Sequence, residues 1–288
     1  MEFLRPATLD EALAAKAAYP GAVPVAGGTD VMVDLNFDRR RPDALLDLGR
    51  VAALTGWAPD GPLLRVGAGV PYRRLIDELG GRLPGLAMAA RTVGSPQIRN
   101  RGTVGGNLGS ASPAGDAHPP LLAGYARVEL VSARGVRQVP VAEFFTGPRR
   151  SVLAPDELIS AFLVEPATGP QQFAKVGVRN AMVIAVCSFA LALHPARRTV
   201  GTGIGSAAPT PLRATAAEEF LAGELADRWE SREALPPSVA NEFGRLVGAA
   251  SAPIDDVRGT AAYRRHALGV LAARTLRWAW DGYREERP

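Results

Sequence analysis

Ala26-Gly27-Gly28-Thr29-Asp30 follows a short β-like run over residues 22–25. A second glycine pair lies in Thr103-Val104-Gly105-Gly106-Asn107, behind a looser β-like run over 98–104. A Gly-Gly pair frees the backbone to take φ > 0 and lets a ligand approach the main chain with no Cβ in the way. Successive N–H groups in such a turn form a concave anion site. One such turn is commonplace. Two, each followed by a small polar side chain, predict one diphosphate-containing ligand gripped from both sides. Ser112-Pro113-Ala114-Gly115-Asp116, just behind the second pair, is expected to form a loop that presents a carboxylate.

Outward from these segments the chain reads as alternating helices and strands. Thr8-Leu9-Asp10-Glu11 matches a capping box and starts a helix to about residue 18. The first glycine segment leads into a helix over about 30–38, broken by Pro42, and 44–48 reads as a strand. These form a small α/β unit over 1–57. Strands at 63–68, 128–132, 137–141 and 158–164 predict a largely antiparallel middle α+β unit over 58–168. Helices are expected there at 72–79 and 86–91, and a helix or strand at 121–126. Pro166 to Pro170 is a Gly/Pro-rich break. Beyond it, 169–288 reads as three strands (173–178, 183–193, near 199–204) followed by helices at 211–221, 238–249 and 261–283. In the last helix Leu268, Leu271, Leu276 and Trp280 are spaced for one buried face.

Composition narrows the chemistry. With 288 residues and a net charge of +4, the chain can bury a sizeable core. Cys187 is its single cysteine and sits in an apolar run, which suits a small buried hydrophobe. An iron–sulfur cluster needs about four thiolates, so this chain alone cannot hold one. His118, His194 and His266 show no metal-ligand spacing. No apolar run reaches membrane-spanning length. Met1-Glu2-Phe3-Leu4-Arg5-Pro6 lacks the basic-then-apolar pattern of a secretory signal, so a cytoplasmic location is expected. Arg39-Arg40-Arg41 has no accompanying aromatic ladder and reads as a solvated helix end, not a nucleic-acid patch.

Single residues carry further expectations. Asp30 would repel a phosphate if it pointed inward, so its side chain is expected to turn back and cap the following helix. Asn107 offers both a donor and an acceptor. Asp116 can accept from a ligand hydroxyl or amino group, or fold back on its own loop. Gly201-Thr202-Gly203-Ile204-Gly205 lacks the spacing of a dinucleotide fingerprint and reads as a strand-end turn; Gly67-Ala68-Gly69 is weaker still. His118 stands two residues from Asp116, but no nucleophile motif accompanies the pair, and no catalytic side chain is expected. Lys16 and Lys175 are the only lysines in an arginine-rich chain. A lysine kept in a strand-like run at 175 suggests a need for a compact ammonium.

Together these segments resemble the FAD-binding medium subunit of the molybdenum hydroxylases, the family of xanthine, carbon monoxide, quinoline and nicotine dehydrogenases. The likeness extends beyond both glycine loops. It includes FFTGPRRSVLAPDEL at 144–158, PTPLRATAAEEFL at 209–221 and DVRGTAAYRRHALGVLAARTL at 256–276. The resemblance implies an α+β fold of the vanillyl-alcohol-oxidase (PCMH) type: two subdomains hold FAD, and a C-terminal domain of a small antiparallel sheet and helices covers it. It implies non-covalent FAD, with the pyrophosphate and adjoining sugar groups on the backbone of Val25, Ala26, Gly27, Gly28, Thr29 and Asp30, and of Thr103, Val104, Gly105, Gly106 and Asn107. Asp116 would hydrogen-bond the cofactor, Val93 and Ile159 would flank it, and Lys175 would stand near the flavin. Many members carry an aspartate where this chain has Val183, which removes a negative charge near the ring. The partners implied are a small [2Fe–2S] subunit and a large subunit with the molybdopterin cofactor, in a dimer of heterotrimers. The alternatives are a stand-alone flavin oxidase or dehydrogenase of a small organic substrate, and a scaffold that has lost its flavin.

Overall fold

The computed structural model describes residues 1–285. The chain opens with β1 (Glu2–Leu4), α1 (Leu9–Ala18), β2 (Val23–Val25), α2 (Val31–Asn36) and β3 (Ala44–Asp47). Their three strands form a parallel sheet in the order β1-β3-β2, so each strand needs a crossover, and α1 and α2 lie on the connections. The capping box at Thr8 is present: Thr8 Oγ1 accepts from the Glu11 N–H, and the Glu11 carboxylate accepts from the Thr8 N–H. Lys16 Nζ is buried at the end of α1, where it donates to the Pro20 and Ala22 carbonyls at 2.7 Å each. It thereby fastens the turn that feeds β2 and the first glycine segment.

The next stretch holds β4 (Trp57–Asp60), β5 (Leu63–Gly67), α3 (Tyr72–Leu79), α4 (Pro84–Arg91), α5 (Pro96–Arg101), α6 (Val104–Ser110) and α7 (His118–Ala123). It continues through β6 (Arg127–Ser132), β7 (Gly135–Pro140), α8 (Val141–Phe144), the short hairpin β8 (Phe145–Gly147) and β9 (Arg150–Ser151), and β10 (Leu158–Val164). The sheet is antiparallel throughout, in the order β4-β5-β10-β6-β7. Its apolar face and helices α3, α4, α6 and α7 share one core around Leu75, Leu108, Leu121, Phe144 and Phe162. A bulge between Ile159 and Ala161 interrupts the pairing of β10 with β6. Of residues 121–126, open between helix and strand in sequence, 121–123 close α7 and 124–126 turn out of it.

The last part contains β11 (Gln171–Val176), β12 (Cys187–His194), β13 (Thr199–Gly205), α9 (Thr215–Leu225), α10 (Arg228–Ser231), α11 (Pro237–Ala250) and α12 (Ala261–Glu285). The three strands form an antiparallel sheet, β11-β12-β13. One face packs on α9, α11 and α12 through Phe189, Leu221, Phe243, Leu276 and Trp280. Cys187 is fully buried in this core. Two boundaries differ from the sequence reading by a full turn or more; the others shift by one or two residues. Strand β12 starts at Cys187, not 183, because 177–186 loops out around Lys175. Helix α9 starts at Thr215, not 211, because Leu212 pairs back onto Ile204. No described helix is long and apolar enough to cross a membrane.

The Gly201–Gly205 cluster lies within β13; it is not a strand-end turn. In a strand, residues two apart share a face, so Gly201, Gly203 and Gly205 line one side. That side carries α7. A Cβ at Gly201 would overlap the Ala123 carbonyl, one at Gly203 the Pro119 carbonyl, and one at Gly205 would overlap Ser188 Oγ of β12 and touch the Pro119 ring. The strand therefore offers a bare backbone on which α7 lies. Two bonds fix the seat: Tyr125 Oη donates to Val200 O at 2.8 Å, and His194 Nε2 lies 3.0 Å from Ala123 O.

Candidate cofactor site

The two glycine segments meet. Gly27 lies so close to the Arg101–Gly102 backbone that a Cβ there would overlap the Arg101 carbonyl. A Cβ at Gly102 would in turn stand 3.4 Å from Thr29 Oγ1. Val25 closes β2 and accepts from Leu48 N, and Ala26 leads into the turn. Within this pair of segments Gly28 alone takes the left-handed region, at φ 74°. There a side chain would strain the backbone.

Asp30 does not cap α2. Its backbone is helical (φ −106°, ψ −49°), whereas a capping residue needs an extended backbone to swing its carboxylate onto the free N–H groups. Its carboxylate instead faces Arg149, at 3.6 Å, and Arg149 also reaches Asp34 at 3.5 Å. Arg149 sits at the tip of the β8–β9 hairpin, and its N–H donates to the Ala111 carbonyl. It thus ties the first glycine segment to the end of the helix that the second one starts.

The second segment does not follow a strand. Ser95 caps α5, accepting from the Ile98 N–H at 3.3 Å, and Pro96 occupies the first helical position. Proline fits there because that N–H has no intrahelical partner. Thr103 then caps α6, its Oγ1 accepting from Gly106 N at 2.8 Å. Gly105 and Gly106 therefore form the first turn of a helix, where N–H groups lack intrahelical acceptors. Their roles diverge. A Cβ at Gly105 would overlap Ala68, the middle residue of the Gly67-Ala68-Gly69 stretch. At Gly106 a Cβ would meet Thr103 Oγ1 alone, at 3.1 Å, so this side of the helix start is open. Val104 anchors the turn in the core. Asn107 Oδ1 accepts from Ala117 N at 3.3 Å, and Asn107 O lies 3.1 Å from His118 Nε2. Its side-chain oxygen thus supports the 111–117 loop.

Asp116 is buried at the end of that loop. Lys175 Nζ donates to its Oδ2 at 2.6 Å, to Thr92 O at 3.1 Å and to Val183 O at 3.2 Å. An ammonium has three protons, and all three are used. A planar guanidinium does not fit three acceptors arranged around one point, which accounts for lysine here. Burial pushes the Asp116 carboxyl up, against the pull of Lys175 and Thr92. Thr92 Oγ1 lies 3.4 Å from the same Oδ2, while Oδ1 is buried with no partner. Val93, next to Thr92, packs on the core, and its carbonyl accepts from Arg99 at 3.0 Å. Ile159 stands at the β10 bulge and packs beneath α6, its Cδ1 3.7 Å from the Cβ position of Gly109.

His118 forms no dyad with Asp116. It is fully buried, its ring 4.6 Å from that of Phe145, and burial pushes its imidazole down to about 4. Among the described residues no three His, Cys, Asp or Glu side chains gather as a metal site. Sequence reasoning missed Thr92, Arg149 and Tyr72. Tyr72 is buried beside Gly102 with no hydrogen-bond partner for its hydroxyl, and burial and the Asp116 charge push its phenol up. Nothing local marks these three; each gains its place from segments distant in sequence.

Two glycine-bearing backbones packed edge to edge beside a buried carboxylate–ammonium pair, with the helix-covered sheet supplying the lysine, define a cofactor-binding fold. Residues 1–166 match the family described as the FAD binding domain in molybdopterin dehydrogenase, and 172–279 the CO dehydrogenase flavoprotein C-terminal domain. The chain belongs to this family of molybdopterin dehydrogenase flavoproteins. It is 32% identical over 283 residues to the putative xanthine dehydrogenase FAD-binding subunit XdhB of Escherichia coli K12, covering 94% of this chain and 93% of that one. It is 32% identical over 235 residues to the nicotinate dehydrogenase FAD-subunit of Eubacterium barkeri, covering 77% and 79%. The structure of carbon monoxide dehydrogenase from Hydrogenophaga pseudoflava superposes with a TM-score of 0.88 at 29% identity, over 98% of this chain and 97% of that one. Quinoline 2-oxidoreductase from Pseudomonas putida 86 shares the fold, with a TM-score of 0.89 at 24% identity over 99% and 98% of the chains.

Proposed function

We propose that this chain is the FAD-carrying electron-transfer subunit of a molybdenum hydroxylase. In this reading it takes electrons from the [2Fe–2S] clusters of a small subunit, while a large subunit with the molybdopterin cofactor oxidises substrate. The assembly would be a dimer of such heterotrimers in the cytoplasm. One observation carries the cofactor assignment: the open face of Gly106 lies on the same short helix that carries Asn107, the residue holding the Asp116 loop. Asp116 keeps one buried oxygen without a donor. An orphaned buried acceptor costs about 1–3 kcal/mol, and a ligand hydroxyl or amino group removes that cost.

These residues fit FAD. The backbone of 25–30 and 103–107 would hold the pyrophosphate and adjoining sugar groups, Asp116 would accept from the cofactor, and Val93 and Ile159 would flank it. Lys175 would set the charge near the flavin, where Val183 supplies no carboxylate. Bound FAD would supply the redox chemistry, accepting electrons singly and passing them on in pairs. The chain's own part is to bind, orient and set the local field.

The test is purification of the tagged chain from its native source. The expected product is yellow, and acid precipitation releases all its flavin to the supernatant. Iron and molybdenum accompany it in stoichiometric fractions. A chain isolated alone that rapidly oxidises a small organic substrate, with neither metal in any associated fraction, overturns the subunit reading.

A further inference from the structure

The outer face of the helical layer carries a groove of about 600 Å³ between α11 and α12. Its rim is made of guanidinium groups: Arg245 from α11, and Arg265, Arg274 and Arg277 from α12. All four side chains are exposed, and no carboxylate lines the groove among the described residues. Arg245 is offset by Glu242 at 2.6 Å, and Arg277 leans on Asn241 at 3.4 Å. Arg265 and Arg274 form no ion pair with any described residue. Two uncompensated charges therefore flank the groove.

The floor is apolar. Gly244, Gly248 and Gly269 bring the two helices together, and a Cβ at Gly244 would overlap the Gly269 carbonyl. Val270 and Ala273 complete it. The lining positions recur at helical spacing, over 241–249 on one side and 265–277 on the other. At a rise of about 1.5 Å per residue these spans are roughly 12 and 18 Å, two to three helical turns.

We infer that this groove docks an acidic amphipathic helix of a partner subunit. Its apolar side would lie on the Gly/Ala/Val floor, and its carboxylates would face Arg265 and Arg274. Helix-in-groove recognition uses an apolar strip of this kind, read at one face of the incoming helix. Bidentate guanidinium–carboxylate pairs at the rim fix register and orientation. A nucleic-acid backbone is the poorer occupant, because it offers nothing apolar to the floor. The opposite face of α12 is committed to β12 and the core through Leu268, Leu276 and Trp280, so the groove is free for a partner.

The inference rests on the subunit reading above, and the experiment separates the two. The tagged full chain and its Arg265→Glu/Arg274→Glu variant are expressed in the native source, and their partners are recovered at low and moderate salt. Both substitutions are on exposed side chains, so flavin content and thermal midpoint should match the parent. The expected result is that the variant retains about tenfold less partner. The parent complex should also loosen as salt rises. Arg265→Lys/Arg274→Lys, which keeps the charge but not the bidentate fork, should retain more partner than the Glu variant and less than the parent. Full retention by the Glu variant, with metals present, overturns the groove assignment and leaves the subunit reading standing. A parent chain that carries no iron or molybdenum overturns both. Self-association of the isolated chain that the Glu substitutions abolish would place a second copy in the groove and also overturn this inference.

Discussion

Lys175 Nζ and Asp116 Oδ2 lie 2.6 Å apart across 59 residues of sequence, each side chain 9% exposed. This pair joins the loop behind the second glycine segment to β11 of the C-terminal sheet. Removing one partner of a buried pair leaves an uncompensated charge, which costs about 3–5 kcal/mol. Lys175→Met should therefore lower the unfolding free energy by roughly that amount, read from urea denaturation of the FAD-free chain. Adding Asp116→Asn should recover part of the loss. A single variant as stable as the parent would show that the pair contributes nothing to the fold.

The seat of α7 on β13 depends on the absence of side chains. Gly203→Ala would drive a Cβ into the Pro119 carbonyl, a backbone atom that cannot swing aside. The expected result is a chain with lowered thermal stability and weakened FAD binding, because Asp116 precedes α7 and moves with it. Gly223→Ala, inside α9 where a Cβ would meet nothing within 4 Å, is the control and should be at least as stable as the parent.

The second glycine pair divides into two tasks. Gly105→Ala would collide with Ala68, so we expect little soluble protein. Gly106→Ala meets only Thr103 Oγ1, at 3.1 Å, so that hydroxyl must shift slightly, and the helix preference for alanine over glycine of about 1 kcal/mol offsets this. It should fold at least as well as the parent. Gly106→Val should also fold, yet bind FAD far more weakly, because its branches project from the open side. Fluorescence titration of the FAD-free proteins reads this directly. Unchanged FAD affinity in Gly106→Val would remove that side from the cofactor site.

His118 sets an acid limit. Burial lowers its imidazole from 6.5 to about 4 in the folded chain. The unfolded chain then binds the extra proton between those values, so stability present above pH 6.5 is lost as pH falls toward 4. The loss is on the order of 3 kcal/mol. His118→Gln should flatten the fall of thermal midpoint between pH 6.5 and 4.5. An identical slope in parent and variant would assign the acid sensitivity to other groups.

The sequence by itself determined what is local. The capping box at Thr8 and Glu11, the strand-like runs of β6, β7 and β10, and the long apolar stripe of α12 are fixed by backbone geometry and side-chain pattern within a few residues. Both glycine segments, and the suspicion that Lys175 was kept for its ammonium, were legible in the same way. The element after Ser95-Pro96 was not, because a cap followed by proline resembles a loop until the Ser95–Ile98 bond is formed. Tertiary structure alone decided which face each glycine presents. Gly27 and Gly105 are bare because another backbone lies against them, Gly106 because one side is left open, and the β13 glycines because α7 rests there. It also decided that Asp30 turns to Arg149 and that Asp116 meets Lys175. A residue's type limits what it can touch; what lies beside it depends on how distant segments pack, and no local pattern encodes that.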